Sequence, residues 1–115
     1  MVRRRPYVPE RGDLIWLAVD PQAGHEQAGQ RPALVLSPAS YNGKTSLALV
    51  CPVTAARKGY PFEVDLPPGL GVHGVILADQ LRCLDWRARH AAPAATAPPQ
   101  VLEEVLARVR ALLGL

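Results

Sequence analysis

Three short stretches of the chain carry side chains able to act on a phosphate. Gly24-His25-Glu26-Gln27-Ala28-Gly29-Gln30-Arg31-Pro32 packs an imidazole, a carboxylate, an amide and a guanidinium into one loop that runs into a strand. Its glycines let the backbone turn tightly and approach a ligand. The Arg31 guanidinium suits a phosphate, or the charge that develops on one as it reacts. The plain alternative is a solvated loop whose Glu26 and Arg31 pair locally. In Val50-Cys51-Pro52-Val53-Thr54, the Thr54 hydroxyl ends an apolar strand just before Arg57 and Lys58, where it could bind a phosphate oxygen or merely cap the strand. Asp79-Gln80 follows the apolar run Val75-Ile76-Leu77-Ala78. A carboxylate there needs a partner, a function or a turn to cap. Trp86-Arg87-Ala88-Arg89 interleaves an aromatic ring with cations, either an RNA-stacking platform or a core tryptophan with charged neighbours. There is no phosphate loop, zinc-protease helix or Gly-x-Ser-x-Gly elbow. His25, His73, His90, Cys51 and Cys83 show no metal-ligand spacing, so no metal or other cofactor is expected.

The chain that must position these groups has 115 residues, the size of a single domain, taken as residues 1–115. Its 49% hydrophobic and 20% charged content, with mean hydropathy +0.04, is that of a folded globular domain. No segment offers the roughly 20 apolar residues of a membrane span. Met-Val-Arg-Arg-Arg-Pro at the N-terminus does not read as a secretory signal, so a cytoplasmic location with Cys51 and Cys83 as buried free thiols is expected. The net charge is only +3, but no acid lies between Glu26 and Glu63, while Arg31, Lys44, Arg57 and Lys58 do. Arg3, Arg4, Arg5 and Arg11 form a second basic cluster, and Arg82, Arg87 and Arg89 a third. An anionic partner fits that distribution. A genome bias toward Ala, Arg, Gly and Pro, which together make 49 of the 115 residues, would give much the same composition.

Short apolar runs bounded by Gly, Pro and Asp predict strands over 13–19, 32–36, 45–53, 60–66, 72–78 and 81–86. The middle of the third is apolar throughout, as if buried on both sides. Tyr41-Asn42-Gly43 reads as a turn or short helix, and Ala91 to Pro99 as an Ala/Pro linker. From Pro99 the pattern turns helical, with Val101, Leu102, Val105, Leu106, Val109, Leu112 and Leu113 on one face and Gly114 as a stop. Glu103 and Glu104 near the start, and Arg108 and Arg110 near the end, suit the helix dipole. Several short strands followed by one helix predict a mainly β barrel or sheet with the helix packed on it.

These motifs, in their order along the chain, resemble the MazF/PemK (Kid) toxins, sequence-selective endoribonucleases (mRNA interferases) of bacterial toxin–antitoxin pairs. The likeness runs through Arg11-Gly12-Asp13-Leu14-Ile15-Trp16, Gly24 to Gly29, Arg31-Pro32, Val35-Leu36-Ser37-Pro38, Tyr41-Asn42, Pro52-Val53-Thr54, Lys58 to Val64 and Ala78-Asp79-Gln80, and on to the terminal helix. It implies an SH3-like β-barrel of the PemK/CcdB type with a C-terminal helix, a homodimer, single-stranded RNA as substrate and a cognate acidic antitoxin as partner. It also implies that Arg31 and Thr54 form the catalytic pair, that Glu26 is needed, and that His25 and Asp79 hold supporting or base roles. Some members carry Arg two residues before the Asp. This chain has Leu77 there, which shifts weight from Asp79 to Glu26 and Arg31. It also lacks the lysines that relatives often carry in the segment corresponding to 91–99.

RNA brings its own nucleophile, the 2′-hydroxyl. Cleavage then needs a base, a cation for the charged phosphorane and an acid for the leaving oxygen. Glu26, helped by His25, is the expected base, Arg31 the phosphorane stabiliser, and Thr54 a donor to a phosphate oxygen. Lys44, Arg57, Lys58 and Arg87 are expected to track the RNA backbone. Gln27, Asn42 and Gln80 have amides suited to base edges, and Asp79 is placed with this RNA-binding set. The competing readings are a non-catalytic SH3-like nucleic-acid binding module and a gyrase-poisoning toxin of the same fold. The latter group ends in Trp-Gly-Ile, where this chain ends in Leu113-Gly114-Leu115.

Overall fold

The structure, a computed structural model, describes residues 6–18 and 29–115. The expectations placed on His25, Glu26 and Gln27 lie outside the described residues. In chain order the elements are β1 (Asp13–Ala18), β2 (Gln30–Val35), α1 (Ala39–Thr45), β3 (Leu47–Thr54), β4 (Glu63–Asp65), β5 (Val75–Leu77), β6 (Arg82–Asp85), β7 (Ala92–Thr96) and α2 (Pro99–Leu113).

All strand pairs are antiparallel, in the order β4-β5-β3-β2-β1-β7, with β6 also on β3. The hydrogen-bonded path is open, with β4 at one end and β7 at the other. The barrel-like form therefore rests on a shared core. Period-2 alternation gives the sheet two buried faces. Leu14, Leu34, Cys51 and Val53 point to one face and join Val64, Val72 and Ile76 under Val101, Val105 and Val109 of α2. Ile15, Leu17, Ala33, Val35, Ala48 and Val50 point to the other, around Trp86. Only the centre of β3, Val50-Cys51, is buried on both faces; Leu47, Leu49 and Pro52 are half-exposed.

The register of β3 sets the geometry of the site. Its first half, Leu47–Val50, pairs with β6, and its end, Val53-Thr54, pairs with β5. Residues 78–81 leave the ladder between these two pairings, as the Asp79-Gln80 break predicts. On the other edge Ala33 pairs with Pro52. Arg31 and Thr54 each lie two residues beyond that last pair of the antiparallel ladder, on the two diverging strand ends.

Several expectations need correction. β2 starts at Gln30, so Arg31 lies inside the strand, paired with Leu17. The Ala/Pro stretch is no linker. Ala92–Thr96 forms β7 on the free edge of β1. Alanine and proline are poor strand formers, and Pro93 is tolerated here because the strand is at the edge and the register shifts beside it. Cys83 is exposed rather than buried, since β6 alternates and its odd residues face outward; Cys51 is fully buried. Leu112 and Leu113 lie beyond the last turn that reaches the sheet and are exposed. Glu103 and Glu104 fall past the first turn of α2, where the dipole acts weakly. Gly114 ends the helix as expected, in the left-handed conformation with its N–H on the carbonyls of Arg110 and Ala111. No helix among the described residues is long and apolar enough to cross a membrane.

Candidate active site

Arg31 and Thr54 form a ridge between two cavities. With Pro32 and Val53 they line both, one of about 500 Å³ and one of about 510 Å³. Thr54 also borders a third, of about 140 Å³, together with Lys58, Glu63 and Gln80. Thr54 is half-buried at the end of β3, and its Oγ1 accepts the N–H of Ala56 at 3.1 Å. A hydroxyl that accepts this way keeps its own hydrogen to donate, so it can reach a phosphate oxygen. The turn after Thr54 is held by Glu63, whose carboxylate accepts the N–H groups of Lys58 and Gly59, both at 2.8 Å. From the other side the backbone of Gly74 (φ +121°) lies against the Thr54 carbonyl.

The cavity of about 500 Å³ is cationic. Arg31, Arg82 and Arg89 line it with Thr54 and Gln80, and no carboxylate does so among the described residues. Arg82 alternates with Cys83 on β6, which turns Arg82 and Leu84 toward the cavity. The Arg89 carbonyl accepts the N–H of Ala18 at 2.8 Å, tying the turn after β6 to the end of β1. Guanidinium groups converging on one concavity favour a polyanion. The cavity beyond the ridge differs. Its lining includes the half-buried Trp16 and the exposed His73, and Arg31 is its one Arg or Lys among the described residues. Among the described residues no group of three or more His, Cys, Asp or Glu side chains is gathered closely enough to hold a metal ion.

Other residues singled out in the sequence lie elsewhere. Lys44 is exposed on the last turn of α1. Arg57 pairs with Asp65, both largely exposed, a contact too solvated to add much stability. Arg87 lies over the Trp86 ring, 4.4 Å from its centroid, with Nη2 donating to the Gly43 carbonyl at 3.3 Å. Trp86 is buried and its Nε1 donates to the Asn42 carbonyl at 2.9 Å, so its ring belongs to the core and is not a platform for bases. Asp79 lines none of the three cavities. Its Oδ1 is buried with no hydrogen-bond partner among the described residues. Burial, with the Asp79 charge adding to it, pushes the neighbouring Cys51 thiol up to about 12, so that thiol stays protonated and inert at neutral pH.

Asn42 departs most from its expected role. It is fully buried. Its Nδ2 donates to the carbonyls of Pro9 (2.8 Å) and Ser37 (2.9 Å), and its Oδ1 accepts from Ser37 Oγ (2.6 Å). Every arm of the amide is engaged, leaving none to read a base. It pins the N-terminal segment and α1 to the end of β2. Asn42→Ala orphans buried partners at about 1–3 kcal/mol each, so unfolding should cost about 3 kcal/mol less than in the parent. A denaturant titration showing unchanged stability, with weakened RNA binding, would restore Asn42 to base reading.

Arg82, Arg89, Trp16, His73, Glu63 and Gly74 were missed as site residues. The basic cluster that contains Arg82 and Arg89 was visible in the sequence, but only the alternation of β6 and the docking of its following turn show which of its arginines turn inward.

Comparison with known proteins settles the lineage. A family model described as PemK-like, MazF-like toxin of type II toxin-antitoxin system matches residues 10–113. The chain belongs to that family. It is 51% identical over 108 residues to the endoribonuclease toxin MazF of Escherichia coli K12, covering 94% of this chain and 96% of that one. It is 38% identical over 120 residues to the endoribonuclease PemK of E. coli, covering 98% and 87%. In a crystal structure of MazE-MazF from Deinococcus radiodurans, the matching chain is 61% identical and superimposes with a TM-score of 0.90, over 96% of this chain and 99% of that one. A structure of MazF from the same organism gives 0.86 at the same identity, over 96% and 100%. The mainly β fold with a C-terminal helix is thus the fold of this toxin family.

Proposed function

We propose that this chain is a sequence-specific endoribonuclease toxin of a toxin–antitoxin pair, cutting single-stranded mRNA in the cytoplasm without a metal. The observation that carries the reading is the Arg31–Thr54 ridge, where a guanidinium-bearing and a hydroxyl-bearing residue line the same two open cavities. A phosphodiester seated there has room for a nucleotide on either side. Membership of the toxin family and the activity named for the E. coli relatives support it.

Glu26, aided by His25, takes the proton of the 2′-hydroxyl as O2′ bonds to phosphorus. Arg31 neutralises the extra charge on the phosphorane, and Thr54 donates to a non-bridging oxygen. The P–O5′ bond breaks and O5′ takes up a proton, with Arg31 positioning or supplying it. The products are a 2′,3′-cyclic phosphate, or the 3′-phosphate it opens to, and a 5′-hydroxyl. Arg82, Arg89, Lys58 and Gln80 hold the flanking strand. The molecule acts as a homodimer, and an acidic antitoxin lies over the same cationic cavity in place of RNA.

Replacing the 2′-hydroxyl on the 5′ side of the cut by hydrogen removes the nucleophile. Such an oligonucleotide should bind as the all-RNA strand does and resist cleavage, as followed by gel shift and fragment analysis. Cleavage of the deoxy-substituted strand at the same bond would overturn the mechanism.

A further inference from the structure

The two cavities flanking the ridge differ in a way that assigns a role to His73. The first is built for anions, with Arg82 and Arg89 beyond the shared Arg31. Among the described residues the second holds no further Arg or Lys and instead presents two rings, Trp16 and His73. A phosphodiester carries one nucleoside on each side. With the phosphate on Arg31 and Thr54, one neighbouring base must fall into the second cavity. A flat ring with a polar edge is what an indole and an imidazole receive, by stacking and by edge hydrogen bonding.

His73 is also placed firmly for a residue outside any strand. Val72 before it is buried in the core. Gly74 after it lies so close to β3 that a Cβ there would sit 2.1 Å from the Thr54 carbonyl oxygen. The exposed imidazole is thus held between two anchors, one of which is the backbone of the catalytic threonine.

We propose that His73 is a specificity-determining residue, whose imidazole selects the base on one side of the cut from within the cavity it shares with Trp16, Arg31 and Thr54. This rests on the endoribonuclease reading above. The test is to cleave a randomised single-stranded RNA pool with the full chain, His73→Ala and His73→Phe, and sequence the fragment ends. Melting temperatures equal to that of the parent confirm that both variants are folded, as expected at an exposed position. Both should lose about tenfold of the preference at one position next to the cut, the scale of a single base contact, with the other positions unchanged. His73→Phe, which keeps a ring to stack on, should hold KM closer to the parent than His73→Ala. If the parent cuts and either variant shows its full preference at both flanking positions, His73 does not select the base. If the parent leaves the pool intact, the endoribonuclease reading itself fails.

Discussion

Arg31→Ala leaves a folded protein that has lost at least about 10²–10³-fold of its cleavage rate, the usual cost of removing one donor to a charge that develops in the transition state. The loss is chemical and not structural. Arg31 is exposed on β2, and truncating an exposed side chain usually moves stability by no more than about 0.5 kcal/mol. The denaturation midpoint should therefore coincide with that of the parent while activity collapses. Arg31→Lys restores the charge without the planar two-pronged donor and recovers only part of the rate. Thr54→Ala loses somewhat less, since one neutral donor is removed in place of a cation. Full activity in folded Arg31→Ala would remove the residue from the mechanism.

The second large effect falls on a residue with no side chain. At Gly74 an added Cβ would meet the carbonyl oxygen of Thr54 at 2.1 Å and its carbon at 2.7 Å. Those atoms are backbone and cannot swing aside, and φ is +121° besides. Steric overlap and backbone strain each cost about 1–3 kcal/mol, so Gly74→Ala should destabilise by about 3 kcal/mol and displace Thr54 even in molecules that stay folded. Gly69 separates the two causes. It also has positive φ, +93°, but nothing lies within 4 Å of a Cβ there. Gly69→Ala should show the strain alone, about 1 kcal/mol, with activity intact. Equal stability of the two variants by urea titration would contradict the close approach of residue 74 to β3.

Much of this arrangement was legible in the sequence where local chemistry decides it. β1 is an apolar run closed off by Gly12-Asp13 and Asp20-Pro21, and α2 shows its buried stripe through Val101, Val105 and Val109. Arg31 and Thr54 stood out separately as a guanidinium and a hydroxyl near strand ends. What brings them to the same two cavities is the pairing of Ala33 with Pro52 just before them, a register that nothing local encodes. β7 was illegible because Ala92-Pro93-Ala94-Ala95-Thr96 lacks strand propensity and extends only because β1 offers a free edge. Asn42 looked like an exposed turn amide because the buried carbonyl of Pro9, 33 residues away, cannot be foreseen from Tyr41-Asn42-Gly43. Gly74 had no signal beyond being a glycine before a strand. Its meaning is the Thr54 carbonyl it touches.

The most direct test is to incubate the purified chain and Arg31→Ala with a long single-stranded RNA in EDTA and map the fragment ends. Discrete cuts at a short recurring sequence are expected, with 5′-hydroxyl and cyclic or 3′-phosphate ends, and no such cuts from Arg31→Ala. Intact RNA with the parent protein, despite salt-sensitive binding, would contradict the endoribonuclease reading and leave a nucleic-acid binding module in its place.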